Sequence, residues 1–148
     1  MTQPDNCIFC AIVAKRAPAN IIYESEDTLA ILDVHPIVPG HVLVIPKMHC
    51  RNLFDFDEAS ANGLLHAEKV IAHAIRIAFQ AEGLTVLQSN ERAGGQSVFH
   101  YHAHLVPRFE GDGLMTRPEQ IKSSQARFGD KLKPTEIAVM LRAAIKER

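Results

Sequence analysis

Three histidines, His100, His102 and His104, occupy alternate positions in the segment QSVFHYHAHLVPR at residues 96–108. A period of two belongs to a strand, in which residues i, i+2 and i+4 share one face. The pattern predicts a strand with three imidazoles on one side and Tyr101, Ala103 and Leu105 on the other. At ~3.3 Å per residue, the outer two Cα atoms stand ~13 Å apart. Zinc–imidazole bonds are only ~2.0 Å, so one metal ion does not easily collect all three rings. The rings are therefore expected to divide their labour. The alternative is a solvated polar face of an amphipathic strand.

The preceding loop, ERAGGQS at residues 91–97, sharpens the reading. Glycines let backbone N–H groups approach an anion closely. Gly95, Gln96 and Ser97 thus form a candidate phosphate-binding stretch directly before the first histidine. A glycine-rich loop feeding alternating imidazoles describes a phosphate held by amides and attacked by a ring nitrogen.

The rest of the chain predicts an α+β domain. Residues 21–25 and 28–33 read as strands joined by a tight turn at Glu26-Asp27. Residues 41–46 form a nearly all-apolar, central strand, and residues 84–90 a fourth. Residues 58–82 read as the main helix, because Leu64, Ala67, Ile71, Ala74, Ile75 and Ala78 recur at spacings of three and four. Asp55 or Asp57 can cap its start and Gly83 its end. A last helix is expected from Pro134 to about Glu147. Short connections between the early strands favour an antiparallel sheet over a doubly wound parallel one.

Composition removes some function classes. The net charge is -1 with no basic block, which disfavours a nucleic-acid surface or a membrane-surface anchor. No apolar run reaches the ~18 residues of a membrane span. The start, MTQPDNCIFC, lacks the basic and apolar regions of a secretory signal, so the cytoplasm is the expected compartment. Three cysteines in a reducing compartment favour a metal or redox site over a structural disulfide. Cys7-x-x-Cys10 lies too near the start for a thioredoxin-like arrangement, so zinc is favoured, against the alternative of free thiols. A closed tetrahedral site needs two further ligands. Cys50 has no assigned partner.

His-Tyr-His-Ala-His-Leu-Val resembles the histidine-triad pattern, in which three histidines alternate with apolar residues. The similarity extends over CIFCAIVAKRAPANIIYE, TLAILDVHPIVPGHVLVIPKMH and NERAGGQSVFHYHAHLVPR, from about Cys7 to Arg108. The chain resembles the histidine-triad (HIT) family, near its Hint branch and the bacterial zinc-containing members. That resemblance implies one HIT domain over residues 1–148, with a core at 7–108 and a C-terminal extension at 109–148. The extension departs from the short Hint proteins and lies where specificity could be set. Animal Hint proteins also carry one residue more in the glycine loop.

The resemblance further implies a five-stranded antiparallel sheet, a homodimer, and attack on the α-phosphate of a nucleoside 5′-phosphate derivative. His102 falls on the nucleophile, which forms a nucleotidyl-imidazole intermediate that water cleaves. Gln96, Ser97 and His104 fall around the phosphate, with Ser97 helping to protonate the leaving group. His41 matches a further active-site histidine, or else is a strand-end residue. Asp33 matches a ribose-binding aspartate, or else is a turn residue. Asn90 matches a family asparagine near the phosphate. Ile8, Phe9, Ile12, Ile31, Val34 and Leu43 match the apolar purine slot, although apolarity alone would make them core. Cys7, Cys10, His49 and His100 match the structural zinc ligands. The expected activity is cleavage of purine nucleoside 5′-phosphoramidates or related nucleotide conjugates. The alternatives are a zinc-stabilised nucleotide- or partner-binding protein with little turnover, and a dinucleoside polyphosphate hydrolase.

Overall fold

The computed structural model describes residues 6–114 and 132–147. Five strands form one antiparallel sheet: β1 (Ile21–Glu24), β2 (Thr28–Leu32), β3 (Val42–Pro46), β4 (Gly83–Leu87) and β5 (Ala103–Arg108). Their order is β1-β2-β3-β5-β4, so β3 is central, as its apolar run predicts. Among the described residues, three α-helices accompany them: α1 (Ile8–Val13), α2 (Ala61–Phe79) and α3 (Pro134–Lys146). The β1–β2 turn closes where Glu26-Asp27 predicts it. The Asp27 carboxylate accepts the Ser25 hydroxyl at 2.7 Å, and the Ser25 N–H donates to the Thr28 carbonyl at 2.9 Å.

Every residue of β2 and β3 is buried, because the sheet is covered on both faces. Val42, Val44, Ala30 and Leu32 pack with Leu105, Ile71, Ile75 and Leu141 under α2 and α3. Leu29, Ile31, Leu43 and Ile45 pack on the opposite face with Phe9 and Ile12 of α1. The predicted α2 stripe is buried at Leu64, Ala67, Ile71, Ala74 and Ile75, with Ala78 half-buried and Val70 and Phe79 widening the face.

Several boundaries differ from the sequence reading, each for a physical reason. Asp57 caps a short 3-10 turn at Glu58–Ser60, and the α-helix starts only at Ala61. The helix ends at Gln80, in the left-handed conformation with φ 51°, so Gly83 is free to open β4. β4 stops at Leu87 because Gln88 and Asn90 turn their amides on each other, at 2.6 and 3.0 Å. α1 was not expected. It is six residues long, too short to display a helical period, and the Cys7 sulfur caps it by accepting the Cys10 N–H.

The largest correction concerns the histidine strand. β5 begins at Ala103, so only His104 of the three histidines lies in it. The pairing of β5 with β3 runs from Val42↔Leu105 to Val44↔Ala103 and ends there. Pro46 on β3 has no N–H for a longer ladder. Upstream of Ala103 the backbone turns elsewhere: the Tyr101 N–H donates to the Cys50 carbonyl at 2.8 Å. The alternation of faces nevertheless survives. Tyr101, Ala103 and Leu105 enter the core under α2, whereas His100 and His102 meet Phe9 on the opposite face.

Among the described residues, no helix is long and apolar enough to cross a membrane. Residues 115–131 of the C-terminal extension, where specificity was expected to be set, lie outside the described residues.

Candidate active site and metal centre

A cavity of about 410 Å³ opens on the α1 side of the sheet. Ile8, Phe9 and Ile12 come to it from α1, Ile31 from β2, Leu43 from β3 and Val34 from the turn after β2. Asp33, Ser97, His102 and His104 complete its polar end. Register explains part of this convergence: Ile31 pairs with Leu43, and Leu43 with His104, so three lining residues form one row across the sheet. Val34 and Ile8 are 79% and 49% exposed. Large apolar side chains standing at a cavity mouth are a usual mark of a ligand surface.

The hydrogen bonds assign a proton to each ring. The nitrogen His102 Nδ1 lies 2.7 Å from the His100 carbonyl oxygen, which can only accept. His102 therefore carries its proton on Nδ1 and its lone pair on Nε2. The backbone N–H of Ile37 donates to His41 Nδ1 at 3.1 Å, so that nitrogen is unprotonated. His41 Nε2–H then donates to His104 Nδ1 at 2.9 Å, which leaves the His104 proton on Nε2. Among the described residues, the His102 Nε2 lone pair and the His104 Nε2–H have no hydrogen-bond partner, and the two ring centroids lie 5.0 Å apart.

Burial supports this assignment. His41 is 2% exposed, and desolvation pushes its pKa down to about 4 against the opposing pull of Asp33. Burial also lowers His104, with His102 adding to the effect and Asp33 resisting it. The Asp33 carboxylate accepts the His35 N–H at 2.9 Å on one oxygen. Its other oxygen lies 3.4 Å from His41 Nε2 and 3.7 Å from His104 Nδ1. Asp33 therefore borders both the cavity and the histidine relay.

Asn90, Gly95 and Gln96 do not line this cavity. Gln96 is buried, and its amide is spent on backbone: it accepts the Glu91 N–H and donates to the carbonyls of Arg51 and Val98. It braces the loop that presents Ser97. Asn90 accepts the Leu53 N–H at 2.7 Å and braces the same region. Gly95 adopts φ 89°, the left-handed region that glycine tolerates, and turns the chain toward Ser97. The Ile37 N–H and the Pro46 carbonyl were missed by sequence reasoning, because main-chain groups leave no residue signature.

Beside the cavity, Cys7, Cys10, His49 and His100 bring four ligand atoms within 4.8 Å of one another. His100 Nε2–H donates to the Pro46 carbonyl at 2.8 Å, so its Nδ1 lone pair faces the cluster. The two Nδ1 atoms lie 3.2 Å apart. Sulfur–nitrogen separations are 3.3 Å for Cys10–His49, 3.4 Å for Cys7–His100 and 3.5 Å for Cys10–His100. A tetrahedron built on zinc's usual bond lengths has edges of ~3.3 Å between nitrogens and ~3.6 Å between nitrogen and sulfur. The donor set and its spacing fit such an ion. Burial raises the Cys10 thiol to about 12, so a metal arriving here must displace a proton. Cys50 is a buried free thiol whose carbonyl, not its sulfur, serves this region.

An imidazole with an open lone pair, a neighbouring imidazole donor and an apolar cavity stand together beside one face of a five-stranded antiparallel sheet. The family model described as HIT domain matches residues 14–111. The chain belongs to the histidine triad (HIT) family. It is 47% identical over 111 residues to Protein hit of Bacillus subtilis, covering 74% of this chain and 77% of that protein. The crystal structure of a Zn-bound histidine triad family protein from Mycobacterium smegmatis superposes with a TM-score of 0.81 and 38% identity, over 96% of this chain and 94% of that one. Adenylylsulfatase HINT3 of Arabidopsis thaliana is 34% identical over 113 residues, covering 76% of this chain and 57% of that protein.

The buried relay sets a pH dependence. His41 has a folded pKa near 4 and an unfolded value near 6.5, so the unfolded chain binds more protons between these limits. Its contribution to stability is complete above about pH 6.5 and is lost as the pH falls toward 4. Urea midpoints between pH 7 and pH 4.5 should fall more steeply for the native chain than for His41→Gln.

Proposed function

We propose that this chain is a nucleotide hydrolase or nucleotidyltransferase that cleaves purine nucleoside 5′-phosphoramidates or related nucleotide conjugates. The observation that carries the reading is the pair of opposite tautomers: the His102 Nδ1 proton is held by the His100 carbonyl, and His104 Nδ1 is filled from His41. His102 Nε2 attacks the α-phosphorus, and a P–N bond to the ring forms. The bond from phosphorus to the leaving group breaks, and that group departs with the electron pair and a proton passed through the Ser97 hydroxyl. His104 Nε2–H donates to the phosphoryl oxygens as their charge grows. Water then attacks the adduct, the P–N bond breaks, and the nucleoside monophosphate leaves. Splitting one displacement in two is the benefit of a covalent intermediate.

The nucleoside occupies the apolar cavity. Ile8, Phe9, Ile12, Ile31, Val34 and Leu43 receive the flat base, and Asp33 accepts from the ribose hydroxyls. An apolar slot with a carboxylate at its polar end suits a purine nucleoside, and a HIT relative named as an adenylylsulfatase supports the adenylyl class. Cys7, Cys10, His49 and His100 hold a zinc ion. All four positions are protein ligands, so its role is structural, and it ties α1 to the two histidine segments. A reducing compartment such as the cytoplasm keeps both thiols available. The chain pairs as a homodimer through α2 and the open edge of β4, where Ile77 and Val86 are exposed.

The three neighbouring histidines should fail differently. His102→Ala keeps its zinc and AMP binding and loses nearly all turnover, about 10³-fold or more. His104→Ala keeps zinc but loses phosphate affinity and rate together. His100→Ala loses zinc and thermal stability. Metal analysis of untagged protein should give about one zinc per chain, and acid-sensitive nucleotidyl label trapped during turnover should map to His102. Label on another residue would overturn the assignment.

Asp33→Ala should weaken binding more for ribo- than for 2′-deoxyribonucleotides, by roughly tenfold. Equal losses would confine Asp33 to the histidine relay. Light scattering should report twice the 16.4 kDa chain mass at micromolar concentration, and a monomer would refute the pairing.

A further inference from the structure

A second cavity, of about 480 Å³, adjoins the first. Ile8, Ser97 and Val98 belong to both walls, so the Ser97 hydroxyl stands where the two meet. Arg51 and Phe99 line the second cavity, together with Cys7 and His49 of the metal cluster. Among the described residues that line it, Arg51 is the only lysine or arginine, and no aspartate or glutamate lines it.

Arg51 is held in one pose. Its Nε and Nη2 donate to the two oxygens of Glu91 at 2.6 and 2.8 Å. Its guanidinium carbon lies 4.1 Å over the Phe99 ring. Asn52 fixes Glu91 in turn, at 2.6 Å. This bidentate pair uses two of the five guanidinium donors. Among the described residues, Nη1 donates to nothing. Arg92 stands 6.0 Å from the same ring, and the Arg51 guanidinium feels the carboxylates of both Glu91 and Asp55. A stacked, pre-oriented guanidinium with a free edge is a receptor for a carboxylate.

In a displacement at phosphorus, the attacking and leaving atoms lie on opposite sides, roughly in line. A nucleotide seated in the first cavity with its phosphate at His102 therefore sends its departing group past Ser97. We infer that the second cavity is the leaving-group subsite, and that Arg51 selects amine leaving groups bearing a free carboxylate. This inference rests on the proposed phosphoramidate chemistry and names the class of conjugate that it serves. The reaction is unchanged: the P–N bond to the substrate amine breaks, and the amine leaves with its electron pair and a proton while its carboxylate stays on Arg51.

The test compares adenosine 5′-phosphoramidates of one amino acid in two forms, the free carboxylate and the carboxamide, with unsubstituted adenosine 5′-phosphoramidate as a third substrate. The native chain should favour the carboxylate in kcat/KM by about tenfold at low salt, as a charged hydrogen bond discounted for solvent exposure requires. The preference should shrink as ionic strength rises. In Arg51→Gln the ratio should fall to about one, and Arg51→Lys should restore part of it. The salt series on the native chain needs no variant, so a misfolded Arg51→Gln does not shield the inference. A native ratio near one, or an unchanged ratio in folded Arg51→Gln, overturns the subsite while leaving the parent chemistry standing. Absence of AMP release from all three conjugates overturns the parent reading, and the subsite with it.

Discussion

The carbonyl of His100 accepts the Nδ1 proton of His102, and the whole site is organised around that bond. The same residue gives its own Nε2 proton to the Pro46 carbonyl and turns Nδ1 toward Cys7, Cys10 and His49. One residue therefore joins the four-ligand cluster, the end of the central strand and the candidate nucleophile. A buried imidazole with two open choices of tautomer is a poor reagent, and here main-chain groups remove the choice. The His41 side of the site follows the same rule, with the Ile37 amide acting in place of a carbonyl.

The sheet makes this possible because it is buried on both faces. Under α2 and α3 it carries an ordinary apolar core, in which Leu105, Ile71 and Leu141 are fully buried. The opposite face is only partly filled by α1, and the shortfall is the cavity. Gly40 shows how tightly the frame is drawn next to the relay. It sits at φ 88°, and a Cβ there would stand 2.6 Å from the Phe79 ring. The residue before His41 must therefore be glycine for β3 to begin where it does.

Much of the fold was legible because its signals are local. The 3–4 spacing of α2, the apolar run of β3 and Pro134 at the start of α3 all mark their elements in the structure. The period of two in the histidines correctly separates their two faces. It misplaces the strand, because the end of the ladder depends on Pro46, more than fifty positions away. α1 was invisible for want of length. Resemblance, not periodicity, pointed to Ile8, Phe9 and Ile12, and the structure brings them to the cavity wall. Gln96 shows the converse limit: a side-chain amide looks the same in sequence whether it meets a ligand or braces a loop.

α1 contributes Cys7 and Cys10 to one side and Ile8, Phe9 and Ile12 to the other. Isolated helices of this length do not persist in water. Its Phe9 and Ile12 contacts and the ligand cluster are what hold it, so one wall of the cavity is only as firm as that anchorage. In the function proposed above, affinity for an ion at the cluster and affinity for a base in the cavity are then reciprocal quantities, each raising the other by the same factor. On that proposal, a turn and a half of helix couples the metal in the surroundings to the chain's grip on a nucleotide.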